Sequence, residues 1–157
     1  MMMSVRTSQE SLRLRLRKAT MQLGEDTYIR LYRWLGGRWV ERWTGGAPAI
    51  LVTTTGRRSG EQRTVALGHI RVGEDLLVAG TNGGLAPAPG WVWNLRSDPH
   101  CVVEAGADRF KATAEFLEGE PYESHWDHLV AAYPVYDKAR HMLQRPIPLV
   151  LLHRTDG

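Results

Sequence analysis

Ala49-Ile50-Leu51-Val52-Thr53-Thr54-Thr55-Gly56-Arg57-Arg58-Ser59-Gly60-Glu61-Gln62-Arg63-Thr64-Val65-Ala66-Leu67-Gly68-His69-Ile70 reads as two strands joined by a sharp turn. The first run is apolar and β-branched, and the second continues a strand pattern. Between them, Gly56 and Gly60 bracket Arg57, Arg58 and Ser59, with Arg63 shortly after. A third run, Leu76-Leu77-Val78-Ala79-Gly80, leads into Thr81-Asn82-Gly83-Gly84. After a Pro-rich loop comes Pro89-Gly90-Trp91-Val92-Trp93-Asn94-Leu95. Two glycine-containing turns after neighbouring strands present backbone N–H groups and guanidinium forks to an anionic ligand.

Working outward, residues 49–55, 62–71, 76–80, 101–105, 108–116 and 148–153 read as strands. Val72-Gly73-Glu74-Asp75 and Ala105-Gly106-Ala107 supply tight antiparallel connections. Trp91 to Arg96 predicts a short helix closed by Ser97-Asp98-Pro99. A longer helix runs from Pro121 to Ala132, with Tyr122, Trp126, Leu129, Val130 and Tyr133 as its apolar stripe. Pro134 ends or kinks it, and Asp137 to Gln144 forms another short helix. So many strands with so few helices between them argue for a mainly β (α+β) fold, a small antiparallel barrel with helices at its ends. Residues 1–47 form an N-terminal helical arm and residues 48–157 the barrel domain.

The arm carries Leu12, Leu16, Ala19 and Leu23 at helical spacing among Arg13, Arg15, Arg17 and Lys18. A second helical pattern follows with Tyr28, Leu31, Tyr32 and Leu35, then Gly36-Gly37, Trp39, Val40 and Trp43, and Gly45 to Pro48 marks entry to the body. One reading packs this arm over the body. The other rests a basic, Trp-bearing amphipathic segment on a membrane interface. No interleaved basic and aromatic binding face exists, so nucleic acid is not an expected partner.

The totals set bounds. At 157 residues the chain buries roughly two-thirds of its unfolded surface. No run is long and apolar enough to span a bilayer, and no secretory signal follows Met1-Met2-Met3. The single Cys101 excludes an internal disulfide and a multi-Cys metal site, and fits a reducing cytoplasm. A net charge of +3 suits an anionic small molecule, a membrane surface or nucleic acid alike, so its placement decides more than its sum.

The arginine turn lacks P-loop spacing, no G-x-G-x-x-G follows a strand, and H-E-x-x-H and G-x-S-x-G are absent. Taken alone, Gly-Arg-Arg-Ser-Gly reads as a solvated turn, and Thr81-Asn82-Gly83-Gly84 as a flexible loop where backbone approaches a flat ligand closely. Trp91, Trp93 and Asn94 read first as helix packing with a local cap. Tyr133-Pro134-Val135-Tyr136 reads either as core at Tyr133 and surface at Tyr136, or as two phenols lining a pocket. His125 and His128 share a helix face without a further ligand, so no metal site is expected. With no acid–base machinery of its own, an enzyme of this composition relies on a cofactor while the protein binds and orients.

Thr53-Thr54-Thr55-Gly56-Arg57-Arg58-Ser59-Gly60-Glu61-Gln62-Arg63 resembles the signature of the deazaflavin-dependent nitroreductase family. The resemblance continues in order through Gly83-Gly84, Pro89-x-Trp91-x-x-Asn94-Leu95, Asp98-Pro99, Tyr133-Pro134-x-Tyr136 and Arg145-x-Ile147-Pro148. It covers the chain from about Pro48 onward. It implies a split β-barrel binding coenzyme F-420, an 8-hydroxy-5-deazaflavin with a phosphate and an oligoglutamate tail. By position, Arg57, Arg58 and Arg63 would hold the phosphate and tail, with Ser59 and Gly60 shaping their turn. Thr81, Asn82, Gly83 and Gly84 would lie along the coenzyme, and Pro89, Trp91 and Asn94 would border the ring. Tyr133 and Tyr136 would be the catalytic pair on the substrate side. The implied reaction moves hydride from the reduced coenzyme to a quinone, nitro compound or activated alkene. FMN-dependent oxidation–reduction and a non-catalytic coenzyme or lipid carrier are the alternatives, and a homodimer is an open assembly. The family's Ser-Lys-Gly-Gly is Thr81-Asn82-Gly83-Gly84 here, which removes one cation.

Overall fold

The computed structural model describes residues 3–37 and 46–156. Trp39, Val40, Trp43 and Gly45, read above as part of the arm or its exit, lie outside the described residues. The side chains of Leu12, Arg13, Arg17 and Lys18 do too. The strands are β1 (Ala49–Thr55), β2 (Gln62–Val72), β3 (Asp75–Ala79), β4 (His100–Ala105), β5 (Asp108–Phe116) and β6 (Leu149–Arg154). The helices are α1 (Met3–Trp34), α2 (Gly90–Ser97), α3 (Gly119–Ala132) and α4 (Val135–Met142). All neighbouring strands are antiparallel and close into a barrel of order β1-β2-β3-β6-β5-β4. β2 is the long strand: Gln62–Gly68 pair with β1, and His69–Val72 pair with β3. Gly73 and Gly106, at φ +63° and +64°, make the two tight hairpins that the sequence predicts.

The strand sequences report which faces are covered. Ile50, Val52, Leu76, Val78, Cys101, Val103, Phe110, Ala112, Val150 and Leu152 fill the barrel interior. The intervening Leu77, Ala79, Leu149 and Leu151 face outward and pack with Trp126, Leu129, Tyr136 and Leu143 of the α3–α4 region. Ala49, Leu51 and Ala66 face outward beneath Ile29 and Tyr32 of α1. Strands buried on both sides read as apolar runs, whereas β5, with Arg109 and Lys111 exposed, alternates. The expected helices at the barrel ends therefore need correcting. Only α2, whose Trp91, Val92 and Leu95 join the interior cluster, closes an end. The apolar outer faces of β1, β3 and β6 draw the other helices to the sides.

The two helical patterns of the arm form one helix, which Gly24 does not interrupt; a mid-helix glycine costs only about 1 kcal/mol. Its C-terminal half is fixed to the barrel by specific bonds. Glu25 Oε1 accepts the Ala66 N–H at 3.1 Å, on the side of β2 where no strand pairs. The buried Tyr32 hydroxyl accepts the Gly106 N–H at 2.7 Å. Arg33 forks onto Glu104, at 2.8 Å for the shortest contact. A Cβ on Gly37 would lie 2.5 Å from the Gly106 backbone, so the helix exit and the β4–β5 hairpin meet glycine to glycine.

Across β3, β6 and β5, His153 stands between Asp75 (Nδ1–Oδ2, 2.9 Å) and Glu115 (Nε2–Oε2, 2.6 Å). Burial works against its charge, but the Glu115 and Asp75 carboxylates outweigh it and raise its pKa above 6.5. A raised folded-state pKa means stability that is fully present below pH 6.5 and is lost as pH rises through the folded value. His153→Gln should therefore be less stable than the parent at about pH 5.5, with the gap closing by about pH 9. Urea denaturation at the two pH values checks this; a gap that widens with pH would refute the assignment.

Candidate functional site

The turn between β1 and β2 is held by its own main chain and by Ser59. Gly56 N–H donates to Glu61 O and Gly60 N–H to Gly56 O, both at 2.7 Å. Gly60 sits at φ +71°, and a Cβ on Gly56 would fall 2.8 Å from Ser59 Oγ, so the two glycines serve different geometric needs. Ser59 Oγ accepts the Glu61 N–H at 3.2 Å. The result is that Arg57, Arg58, Ser59, Gly60 and Arg63 are all exposed. The Arg57 guanidinium stands 5.7 Å over the Trp93 ring, and Arg63 pairs with Glu61 at 2.7 Å. Arg58 has no carboxylate partner among the described residues.

Asn94 ties this turn to α2. Its Oδ1 accepts the Arg57 N–H at 3.1 Å, and its Nδ2 donates to the buried Thr54 hydroxyl at 3.0 Å. Both ends of one amide are thus committed to holding the arginine turn against β1, and an unpaired buried hydroxyl would cost about 1–3 kcal/mol.

The second turn follows β3. Gly80 packs tightly: a Cβ there would lie 3.0 Å from Val92 of α2 and 3.2 Å from Pro148, so either neighbour would have to shift. Thr81 is right-handed, then Asn82, Gly83 and Gly84 follow at φ +51°, +59° and +80°. Asn82 Nδ2 reaches across the loop to Pro87 O at 2.8 Å. Arg145 fills the space behind the loop. Its Nε donates to Ala86 O at 2.6 Å, its Nη1 to Gly80 O at 3.1 Å and Pro146 O at 3.2 Å, and its Nη2 to Leu85 O at 3.2 Å and Thr81 O at 3.3 Å. Arg145 opens the Arg145-x-Ile147-Pro148 motif, whose spacing assigns it no role. Its function is invisible there because its partners are main-chain oxygens.

α2 lies between the two turns, touching the first through Asn94 and the second through Val92. Pro89 precedes it and is buried. Trp91 is only 5% exposed and belongs to the barrel core, as the packing reading expects; Trp93, at 45%, is the exposed ring. Tyr133 and Tyr136 belong to a different cluster, under α3 and α4. Here the reading of core at Tyr133 and surface at Tyr136 is reversed. Tyr136 is buried and Tyr133 half-exposed, because Pro134 starts α4 with Tyr136 on its inner face. The Tyr136 hydroxyl occupies room left by Gly68, where a Cβ would come within 2.9 Å of it. Burial raises the Tyr136 pKa from 10.0, with Tyr133 adding to the shift, so the phenol is neutral. A groove of about 360 Å³ between α1 and the start of β2 also sets Arg30 and Arg33 beside Arg63. No sequence spacing links those arginines.

An antiparallel barrel bearing a cationic turn, with a left-handed loop free of Cβ atoms at two successive positions, suits a flat, anionic cofactor. Known proteins sharpen this class. Residues 26–154 match the profile of the F420H(2)-dependent quinone reductase family. An F420H(2)-dependent quinone reductase of Mycobacterium tuberculosis strain H37Rv is 30% identical over 132 residues, covering 79% of this chain and 85% of its own. Among solved structures, an F420-H2 dependent reductase (FDR-A) superposes with a TM-score of 0.62 at 33% identity, over 68% of this chain and 94% of that one. A second, described as a domain-swapped dimer, gives 0.63 at 30% identity, over 80% and 98%. The chain belongs to the F420H(2)-dependent quinone reductase family, and its fold is that family's split β-barrel.

Proposed function

We propose that this chain reduces a quinone with reduced coenzyme F-420, a family activity that the site's charge and shape support. The observation that carries the reading is the rim of exposed Arg57, Arg58 and Arg63 on one side of α2, with the loop at Gly83-Gly84 on its other side. The residues present fit the coenzyme: fixed guanidinium charges suit a phosphate and a polycarboxylate tail, and a loop without side chains suits a flat ring. When bound, the reduced deazaflavin supplies the hydride. The chain's own work is to hold and align. Arg57, Arg58 and Arg63 grip the anionic groups while Ser59 and Gly60 keep their turn in shape. Thr81, Asn82, Gly83 and Gly84 line the coenzyme's path, with Pro89, Trp91 and Asn94 fixing the border through α2. Half-exposed Tyr133 and the Tyr136 hydroxyl beside Gly68 would donate hydrogen bonds to acceptor oxygen gaining charge. Burial raises the Tyr136 pKa, so its phenol is a donor across the physiological range.

Titration with coenzyme F-420 and separately with FMN, followed by tryptophan fluorescence, tests the reading directly. Saturable binding of the deazaflavin and not of FMN is expected, and preference for FMN would overturn it. Replacing both Arg57 and Arg58 with Ala should weaken the full-length coenzyme about tenfold or more, since each charge-assisted bond is worth about 1.5–3 kcal/mol. A tail-less analogue should lose less. Equal losses would remove the tail-holding role. Phenylalanine at both Tyr133 and Tyr136 should lower kcat roughly ten- to hundredfold with coenzyme affinity unchanged. A matching fall in affinity would make them coenzyme ligands or core.

For the arm, the membrane-interface reading gains support from the outer face of α1. Leu16 (58% exposed), Leu23 (67%), Leu31 (43%) and Trp34 (82%) lie along one stripe, opposite Ile29 and Tyr32. Thr20 and Thr27 between them turn their hydroxyls to the Leu16 and Leu23 carbonyls. No helix among the described residues is long and apolar enough to cross a membrane. Flotation with vesicles of anionic lipid should carry the parent chain and leave a Leu23→Glu, Trp34→Glu variant behind. Light scattering of both in free solution reads whether a dimer forms instead, as in the domain-swapped relative.

A further inference from the structure

Loop 80–87 is irregular, carries three consecutive left-handed residues, and is held by a side chain from elsewhere in the chain. Asn82, at φ +51°, is a residue type that tolerates the left-handed region, and its own Nδ2 bonds Pro87 O. The carbonyls on either side of it are gathered by Arg145. Every nitrogen of its guanidinium donates to a main-chain oxygen, and four of the five acceptors are Gly80, Thr81, Leu85 and Ala86. No carboxylate partner of Arg145 exists among the described residues. A guanidinium placed against carbonyls alone orients peptide groups. Because the peptide is planar and trans, turning the Thr81 carbonyl toward Arg145 turns the Asn82 N–H away from it. The N–H groups of Asn82 and Gly83 have no acceptor among the described residues, whereas those of Gly84 and Leu85 close the turn onto Thr81 O and Asn82 O. A right-handed residue followed by a left-handed one aims successive N–H groups into a common concavity that favours negative charge.

We propose that Arg145 is a positioning residue for the coenzyme. It fixes the 81–84 turn so that the Asn82 and Gly83 N–H groups and the Cβ-free surface face the ligand, and its charge reaches that ligand through the peptide dipoles it orients. The inference rests on the coenzyme reading above. It explains how a loop that carries no charged side chain from Gly80 to Pro87 serves an anionic cofactor. The side-chain cation is supplied from behind, and the backbone does the contacting.

The test compares the parent with Arg145→Lys, which keeps the charge and loses the fork, and Arg145→Gln. Coenzyme F-420 affinity is measured by tryptophan fluorescence, the KM for a quinone is taken alongside, and amide hydrogen exchange is followed in the ligand-free chains. The expected result is a rise of about ten- to hundredfold in coenzyme Kd for both variants with quinone KM little changed. Faster exchange should be confined to residues 80–87. Parent-like affinity in both variants would overturn the inference while leaving the coenzyme reading intact. Faster exchange spread through the barrel strands would also overturn it, making Arg145 a general stabiliser. Failure of the parent itself to bind would bring down the coenzyme reading and this inference together.

Discussion

Closing six antiparallel strands into a ring of order β1-β2-β3-β6-β5-β4 makes β2 serve two neighbours in turn. Its first seven residues pair with β1 and its last four with β3. The main-chain groups of its first half on the β3 side are therefore left without a strand, and buried backbone groups must be paired. α1 answers part of that need with the Glu25 carboxylate on Ala66 N–H. β1 and β2 remain paired right up to Thr55 and Gln62, so the arginine turn that joins them stands exposed at the end of the pair.

Both turns of the site are stabilised by polar side chains bonding to backbone. Asn94 divides its amide between a main-chain N–H and a buried hydroxyl. Arg145 spends its whole fork on carbonyls. In each turn the holding side chain comes from another element, so the loop's shape is set without a ligand. Sites assembled this way keep their shape before the ligand arrives, which lowers the ordering cost of binding.

Electrostatics divide along the same lines. The charges at the rim are water-exposed: Arg57 lies over Trp93, Arg63 against Glu61, and Arg58 has no carboxylate partner among the described residues. Exposed pairs such as Arg63–Glu61 contribute little to folding, so the charge there is available for binding. Beneath the surface, burial favours the neutral forms of Cys101 and Tyr136. Burial raises the Cys101 thiol to about 11, with Asp98 adding to it, and it lifts the Tyr136 phenol, so neither supplies charge near the site.

Much of this was legible before any coordinates. Apolar runs such as Ala49–Val52 and Leu149–Leu152 mark strands covered on both faces, and Gly73 and Gly106 mark hairpins, because these depend on nearest neighbours and on φ. The glycine-bracketed arginines were visible for the same local reason. Tertiary structure alone decided the rest. It turned Tyr136 inward and Tyr133 outward, buried Trp91 and exposed Trp93, and gave Arg145 its work. It also laid α1 along β2 with Arg30 and Arg33 beside Arg63. Each of these depends on contacts between residues far apart in sequence, and in Arg145's case on carbonyl oxygens that every residue carries. Spacing along a chain records local geometry and periodicity. It does not record which distant backbone a side chain meets once the barrel has closed.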